Sequence, residues 1–333
     1  MHSSISNSKN SNKSWVYTWL LVIILCVSCL GAYEYSLKKQ GFEASITHTK
    51  DLWSWHRGQV YHDKQVVLLG ASRSQINIDM GYLNNRFPSF AVTQLSINGN
   101  YPVATLKALA KDEKFTGIVI VSMNAQVLES KYLDMQNAYN TYYQEESTLY
   151  KSLDAYLTAS IDSHFRFLHP SLGLEELVKH YDKKKSFPDV FYTTANLDQS
   201  ITTDYSKTDT VALLKHFVTS KEKNYVNDPP TQSELWKPNI KILNIAVKKI
   251  NNRGGKVIFV RFPTDKGHWE LDEQYYPRQL YWKKLEQEPL LNTLHFKDIK
   301  GLDKFDLPDS SHLDSKDAQA FTRILFDQII LDE

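Results

Sequence analysis

Five short apolar runs, separated by segments of helical spacing, restrict what this chain can fold into more than any other feature. They are "QVVLLGAS", "FAVTQLSINGN", "GIVIVSMNA", "KVIFVRFP" and "TLHFKDIKG". Each has the length of a strand, and the third is apolar on both faces. Between the first three, Val103, Leu106 and Ala110 keep helical spacing. Before the fourth, Trp236, Ile240, Leu243, Val247 and Ile250 form a helical stripe that ends at Gly254 and Gly255. Strands alternating with helices predict βαβ units and a parallel sheet covered on both sides. The expectation is one three-layer α/β/α domain over residues 65–333. Its last helix is capped by Asp314 and turns Ala318, Phe321 and Leu325 inward.

Two segments depart from that pattern. From about 126 to 233 the text is rich in Tyr and Lys, with "KHYDKKKSFPDV" and "NDPPTQSE" as loop signals. It reads as a mainly helical insertion that caps the sheet's edge. The tyrosines of "KYLDMQNAYNTYYQEESTLY" suit either sugar stacking or ordinary packing. At the other departure, residues 15–35 carry no charge until Glu34. That is the length of a bilayer crossing, with Trp15, Tyr17 and Trp19 near one interface and Tyr33 and Tyr35 near the other.

The expected organisation is therefore a cytoplasmic tail over 1–14, a signal anchor over 15–35, a polar stem over 36–64 and an exported domain. Lys9 and Lys13 precede the span while Lys38 and Lys39 follow it, so the charge asymmetry is weak. Cleavage after "CLGA" and acylation of Cys29 are the competing readings of the same segment.

Composition removes several classes of function. Lys+Arg number 39 against 38 Asp+Glu, so no basic field exists for a nucleic-acid backbone. Cys26 and Cys29 both fall in the apolar segment, leaving the rest without disulfide, thiol nucleophile or Cys-ligated metal. His56 and His62 have no third ligand at a metal-binding spacing, and no phosphate-cradling fingerprint occurs. Neither metal nor cofactor is expected.

In an open parallel sheet, ligands bind outside the carboxyl ends of the strands. "GASRS", "SINGN" and "SMNAQ" follow the first three strands, and "PDSSH" must return to the same rim ahead of the last helix. Ser72 stands two residues after Gly70 at the strand-to-helix turn, where Ser74 is out of register. A serine hydroxyl is a weak nucleophile until a base removes its proton, which His312 could do. Asp309, three residues earlier, could hold the other ring nitrogen. The ordinary readings are a helix cap for Ser72 and a solvated loop pair for Asp309 and His312. Arg73 reads as a helix-start surface charge or a contact to an anionic substrate. Arg261 reads as a rim residue or the partner of an acid in the insertion.

These motifs together resemble the SGNH (GDSL-like) hydrolases. The likeness spans about 66–331 outside the insertion and rests on "LGASRS", "LSINGN", "VRFP" and "DSSHLD". It is closest to the membrane-anchored, exported branch related to bacterial polysaccharide O-acetyltransferases and esterases. The resemblance implies a flavodoxin-like fold and acyl transfer or ester hydrolysis through an acyl-enzyme. Ser72 would be the nucleophile, His312 the base and Asp309 its orienting carboxylate. The oxyanion hole would use the N–H groups of Ser72 and Gly99 and the side chain of Asn124.

Two departures stand out. The family's Asp before the serine is Ala71 here, and its Gly-x-Asn-Asp block is "SMNA", so Asn98 or Asn100 could replace Asn124. The implied partners are a saccharide or other acyl ester, the membrane, and a multispanning protein that supplies the acyl donor. The alternative is an inactive glycan-binding scaffold in a polysaccharide assembly.

Overall fold

The structure, a computed structural model, describes residues 11–61 and 64–329, with side chains from residue 15 onward. Lys9 of the expected tail and His62 fall outside the described residues. In chain order the helices are α1 (Ser11–Lys39), α2 (Lys50–Gly58), α3 (Ser72–Asn77), α4 (Met80–Arg86), α5 (Val103–Lys111), α6 (Asn137–Thr141) and α7 (Leu149–Asp162). They continue with α8 (Leu174–Lys184), α9 (Thr210–Asn227), α10 (Lys237–Asn251), α11 (Lys266–Tyr275), α12 (Trp282–Glu286) and α13 (Ser315–Phe326). The strands are β1 (Gln65–Leu69), β2 (Ala91–Gln94), β3 (Ile118–Ser122), β4 (Thr193–Ala195), β5 (Ile201–Thr203), β6 (Lys256–Arg261) and β7 (Asn292–His295).

Five strands form one parallel sheet in the order β2-β1-β3-β6-β7. The fold is α/β with helices on both faces, as the alternating runs predict. Successive side chains of a strand point to opposite faces, so each central strand feeds two cores. Val67, Leu69, Val119, Val121, Val257 and Phe259 pack beneath α2, α5, α10 and α12. Val66, Leu68, Ile120, Ile258 and Val260 face α4 and α13. The predicted stripe on α10 is the buried one, and Asp314 caps α13 by accepting from the N–H of Lys316. The fifth run contributes only four residues of strand before it turns into a 3-10 helix.

From β1 the chain runs outward to β2, then returns to place β3 on the other side of β1. The crevice outside the carboxyl ends of β1 and β3 is thus the switch point of the sheet, where open α/β folds bind ligands. Gly70 closes β1 there. A Cβ on it would lie 2.9 Å from the Cβ atoms of both Ser122 and Ser74, so only glycine lets β1 and β3 come this close.

The described residues divide into two units, one of 11–45 with 162–190 and one of 46–161 with 191–329. In the first, α1 contains a 25-residue stretch, Trp15–Lys39, long and apolar enough to cross a membrane. Arg166 there donates to Glu34 and to the carbonyl of Phe42. The second unit holds the sheet.

Residues 46–61 are not a free stem, because α2 belongs to the core of the second unit. Trp53 is fully buried, and its indole N–H donates to the carbonyl of Leu95. The insertion is mainly helical, and it also carries β4 and β5, which pair as an antiparallel ribbon. The tyrosines near 140 are largely committed to packing. Tyr139 and Tyr143 meet Trp53 edge-on, and Tyr142 donates to Asp51.

Candidate active site

The loops after β1, β2, β3 and β6 converge with the segment before α13 on a cleft of about 280 Å³. Ser72, Gly99 and Asn124 line it, as does His312, while Asp309 lies behind the His312 ring. All five side chains or turns singled out in the sequence are therefore brought to one place. Ser72 is the first residue of α3, and its Oγ is 2.8 Å from Nε2 of His312. Nδ1 of the same ring lies 2.8 Å from Oδ2 of Asp309. A carboxylate only accepts, so Nδ1 carries the proton and Nε2 accepts from the serine hydroxyl. Serine, imidazole and carboxylate form one continuous hydrogen-bonded line.

Asp309 is held from four directions. Its Oδ1 accepts from the backbone N–H groups of Ser311 and His312, at 2.9 and 2.8 Å. Its Oδ2 accepts from the imidazole and from the hydroxyl of Tyr205, also at 2.8 Å. Burial pushes the carboxyl's pKa up, but the His312, Tyr205 and backbone donors outweigh it and hold the group at about 2. The turn is tight, and Ser310 adopts a φ of 67°, in the left-handed region that non-glycine residues avoid.

Tyr205 is a residue the sequence alone does not disclose. It belongs to the insertion, 104 positions before Asp309. The ribbon that precedes it fastens both halves of the line. The carbonyl of Gln199 accepts from Gln75 on α3, and Thr203 bonds Leu313 and Ser315 at the start of α13. Helix α9 then supplies Phe217, Lys221 and Asn224 to the cleft at spacings of four and three, one helical face. Phe217 sits edge-on to the His312 ring, with centroids 5.9 Å apart. Gln136, also in the insertion, joins the loops after β1 and β2 by donating to the carbonyls of Gly70 and Asn100.

For the third family block, Asn124 lies on the cleft wall, with its carboxamide oxygen buried and without a partner. Asn98 is exposed, and Asn100 donates to the carbonyl of Asn98. Gly99 turns between them with a φ of 71°.

Two readings of charged residues need correction. Arg73 is not a surface charge, because it lines the cleft and donates to Oγ of Ser311 and Nε2 of His268. Arg261 is buried and pairs with Asp272 on α11, not with an acid of the insertion. The strand that carries it runs into the core, so its charge needs a counterion close at hand.

No family model matches the sequence, and no curated protein matches it. A solved structure titled "Crystal Structure of TesA" is similar with a TM-score of 0.35 and 10% sequence identity, covering 80% of this chain and 97% of its own.

Proposed function

We propose that this chain is a membrane-anchored serine enzyme of acyl transfer, an esterase or O-acetyltransferase acting on acyl esters of cell-envelope polysaccharide. The observation that carries the reading is the Ser72–His312–Asp309 line opening into a cleft at the switch point of the sheet. Ser72 Oγ attacks the ester carbonyl as Nε2 of His312 takes its proton, and the imidazolium that forms is stabilised by Asp309. The N–H groups of Ser72 and Gly99 and the Asn124 side chain are assigned to the oxyanion. Collapse breaks the ester bond, the leaving alkoxide takes the proton from His312, and the acyl group stays on Ser72. Water or a sugar hydroxyl then attacks by the same route in reverse and frees the serine.

The α1 helix is assigned as the anchor, with the sheet domain on the exported side. A transferase in that position needs its acyl donor from a multispanning partner, since one helix does not carry a donor across the bilayer. An inactive scaffold has no use for a serine hydroxyl directed onto an imidazole, so the hydrogen bond favours an enzyme.

The test is p-nitrophenyl acetate turnover by the full chain in detergent, with and without an acetyl-accepting oligosaccharide. Ser72→Ala and His312→Ala are each expected to lower turnover at least about a thousand-fold while leaving the fold intact. Acetylated oligosaccharide marks a transferase and free acetate alone marks an esterase. Equal inertness of wild type and folded variants, with no labelling of Ser72 by a serine-reactive phosphonate, would sink the proposal.

A further inference from the structure

The wall of the cleft beside Ser72 carries a concentration of positive charge that the acyl-transfer steps do not use. Arg73 follows Ser72 directly, and Lys221 reaches the same cleft from α9. Arg261 is buried next to them, 5% exposed. Among the described residues, Asp272 is the carboxylate that pairs with cations of this wall, while Asp309 lies on the other flank of the cleft, bound to His312 and Tyr205. Asp272 accepts from Arg261 at 2.6 Å and lies 3.2 Å from Nζ of Lys221.

Arg73 has no carboxylate partner among the described residues. Its Nε donates to Ser311 Oγ at 3.0 Å and its Nη2 to His268 Nε2 at 3.1 Å. A guanidinium is donor only, so His268 accepts at Nε2 and bears its proton on Nδ1. That Nδ1 is buried without a partner. Burial and then Lys221 hold the pKa of His268 well below its usual range, so it adds no charge of its own. Burial, with Arg73 and Arg261 acting against Asp272, also lowers Lys221 to about 8.

Charge gathered in a low-dielectric wall without an equal counter-charge is unfavourable, and an arriving anion relieves it. The chain as a whole has a formal charge of only +1, so this excess is local to the cleft. The guanidinium supplies a planar donor fork and the ammonium a point charge, a pair suited to carboxylate or phosphate oxygens.

We infer that the cleft holds an anionic group of the substrate, a carboxylate or a phosphate, between Arg73 and Lys221, so that the sugars it acts on are acidic ones. What the anion belongs to rests on the acyl-transfer reading; that an anion binds does not.

The experiment has two arms, both with the full chain in detergent at low salt. The first compares acetate release from O-acetyl glucuronic acid and O-acetyl glucose. Wild type is expected to prefer the acidic ester at least about ten-fold in kcat/KM. Lys221→Met and Arg73→Gln are each expected to lower that ratio about ten-fold, the lower end of the range of one charge-assisted hydrogen bond. Lys221→Met keeps the shape of the wall and serves if Arg73→Gln, which loses bonds to Ser311 and His268, does not fold.

The second arm measures binding of inorganic phosphate, glucuronate and glucose to the Ser72→Ala chain by calorimetry. An anion should bind more tightly than glucose, and Lys221→Met should abolish the difference. The tighter of the two anions tells whether a phosphate or a carboxylate is the natural group. If no ester is turned over yet the anion still binds through Lys221, the acyl-transfer reading fails and the anion subsite stands. Equal handling of both esters, with neither anion bound more tightly than glucose, overturns the inference.

Discussion

Two buried aspartates flank the cleft, and their surroundings differ in kind. Asp309 is 1% exposed and Asp272 6% exposed. Each accepts a tyrosine hydroxyl, from Tyr205 at 2.8 Å and from Tyr225 at 2.7 Å. Beyond that shared bond they diverge. Asp309 faces an imidazole and two backbone N–H groups, so its main partner is a ring that can take up and give back a proton. Asp272 faces Arg261 and Lys221, with Thr264 as a further donor. Burial raises its pKa, yet Lys221 and Arg261 overcome that and keep it far below the usual carboxylate range. One acid fixes the orientation of an imidazole ring. The other balances part of a cationic wall. Identical side chains at similar depth thus serve different ends, and the charge of the partners decides which.

The sharpest way to break this comparison is Asp309→Asn. The carboxamide keeps the shape but no longer fixes the proton on Nδ1 of His312. Ester turnover is expected to fall about a thousand- to ten-thousand-fold with little change in substrate KM. A fall below ten-fold would mean that Asp309 only shapes the loop.

Next in size is Asp272→Asn, which leaves the buried Arg261 and the partly buried Lys221 without their counterion. A stability loss of about 3 kcal/mol is expected, read as a lower thermal unfolding midpoint. Inorganic phosphate should restore more of that midpoint in the variant than it adds to wild type, because it supplies the missing negative charge. An unchanged midpoint would mean that the wall is solvated and not short of counter-charge.

The smallest effect tests the bond the two acids have in common. Tyr205→Phe removes one donor from Asp309 and should cost about 1 kcal/mol at neutral pH. Asp309 is held at about 2 in the folded chain against 3.8 for the free group. A carboxylate lowered on folding stabilises the native state above its unfolded pKa and loses that contribution as pH falls through the folded value. Wild type should therefore lose stability between about pH 4 and 2. Tyr205→Phe, whose Asp309 titrates higher, should lose less over the same interval in acid titrations followed by circular dichroism.

Much of the frame was legible because it depends on local pattern. The apolar runs that become β1, β2, β3 and β6 lie where short apolar stretches of strand length end at a glycine or polar boundary, and α10 and α13 follow their apolar stripes. Ser72 could be picked out at the start of α3, and Asp309 and His312 in the loop ahead of α13, because together with the glycine turn after β2 they form a pattern that resembles a known family; singly, each also reads as an ordinary cap or loop residue. The surface-charge reading of Arg73 and the insertion-acid reading of Arg261 failed for the opposite reason. A charged residue's environment depends on what packs against it, and His268, Ser311 and Asp272 are far away in sequence. Trp53 was placed in a stem because a nine-residue helix with Lys50, Asp51 and Arg57 reads as polar until its one buried face finds the core.

By itself, then, the sequence determined the alternation of strands and helices, the apolar N-terminal helix and the rim on which a serine, an acid and an imidazole had to lie. Those follow from side-chain periodicity and turn chemistry, which act over a few residues. Only the tertiary structure decided that the insertion takes part in the site. Tyr205 reaches Asp309 across 104 residues, and Phe217 and Lys221 come to the cleft on one face of α9. No local signal encodes such contacts, because they exist only once the sheet has brought distant segments together and burial obliges each polar group to find a partner.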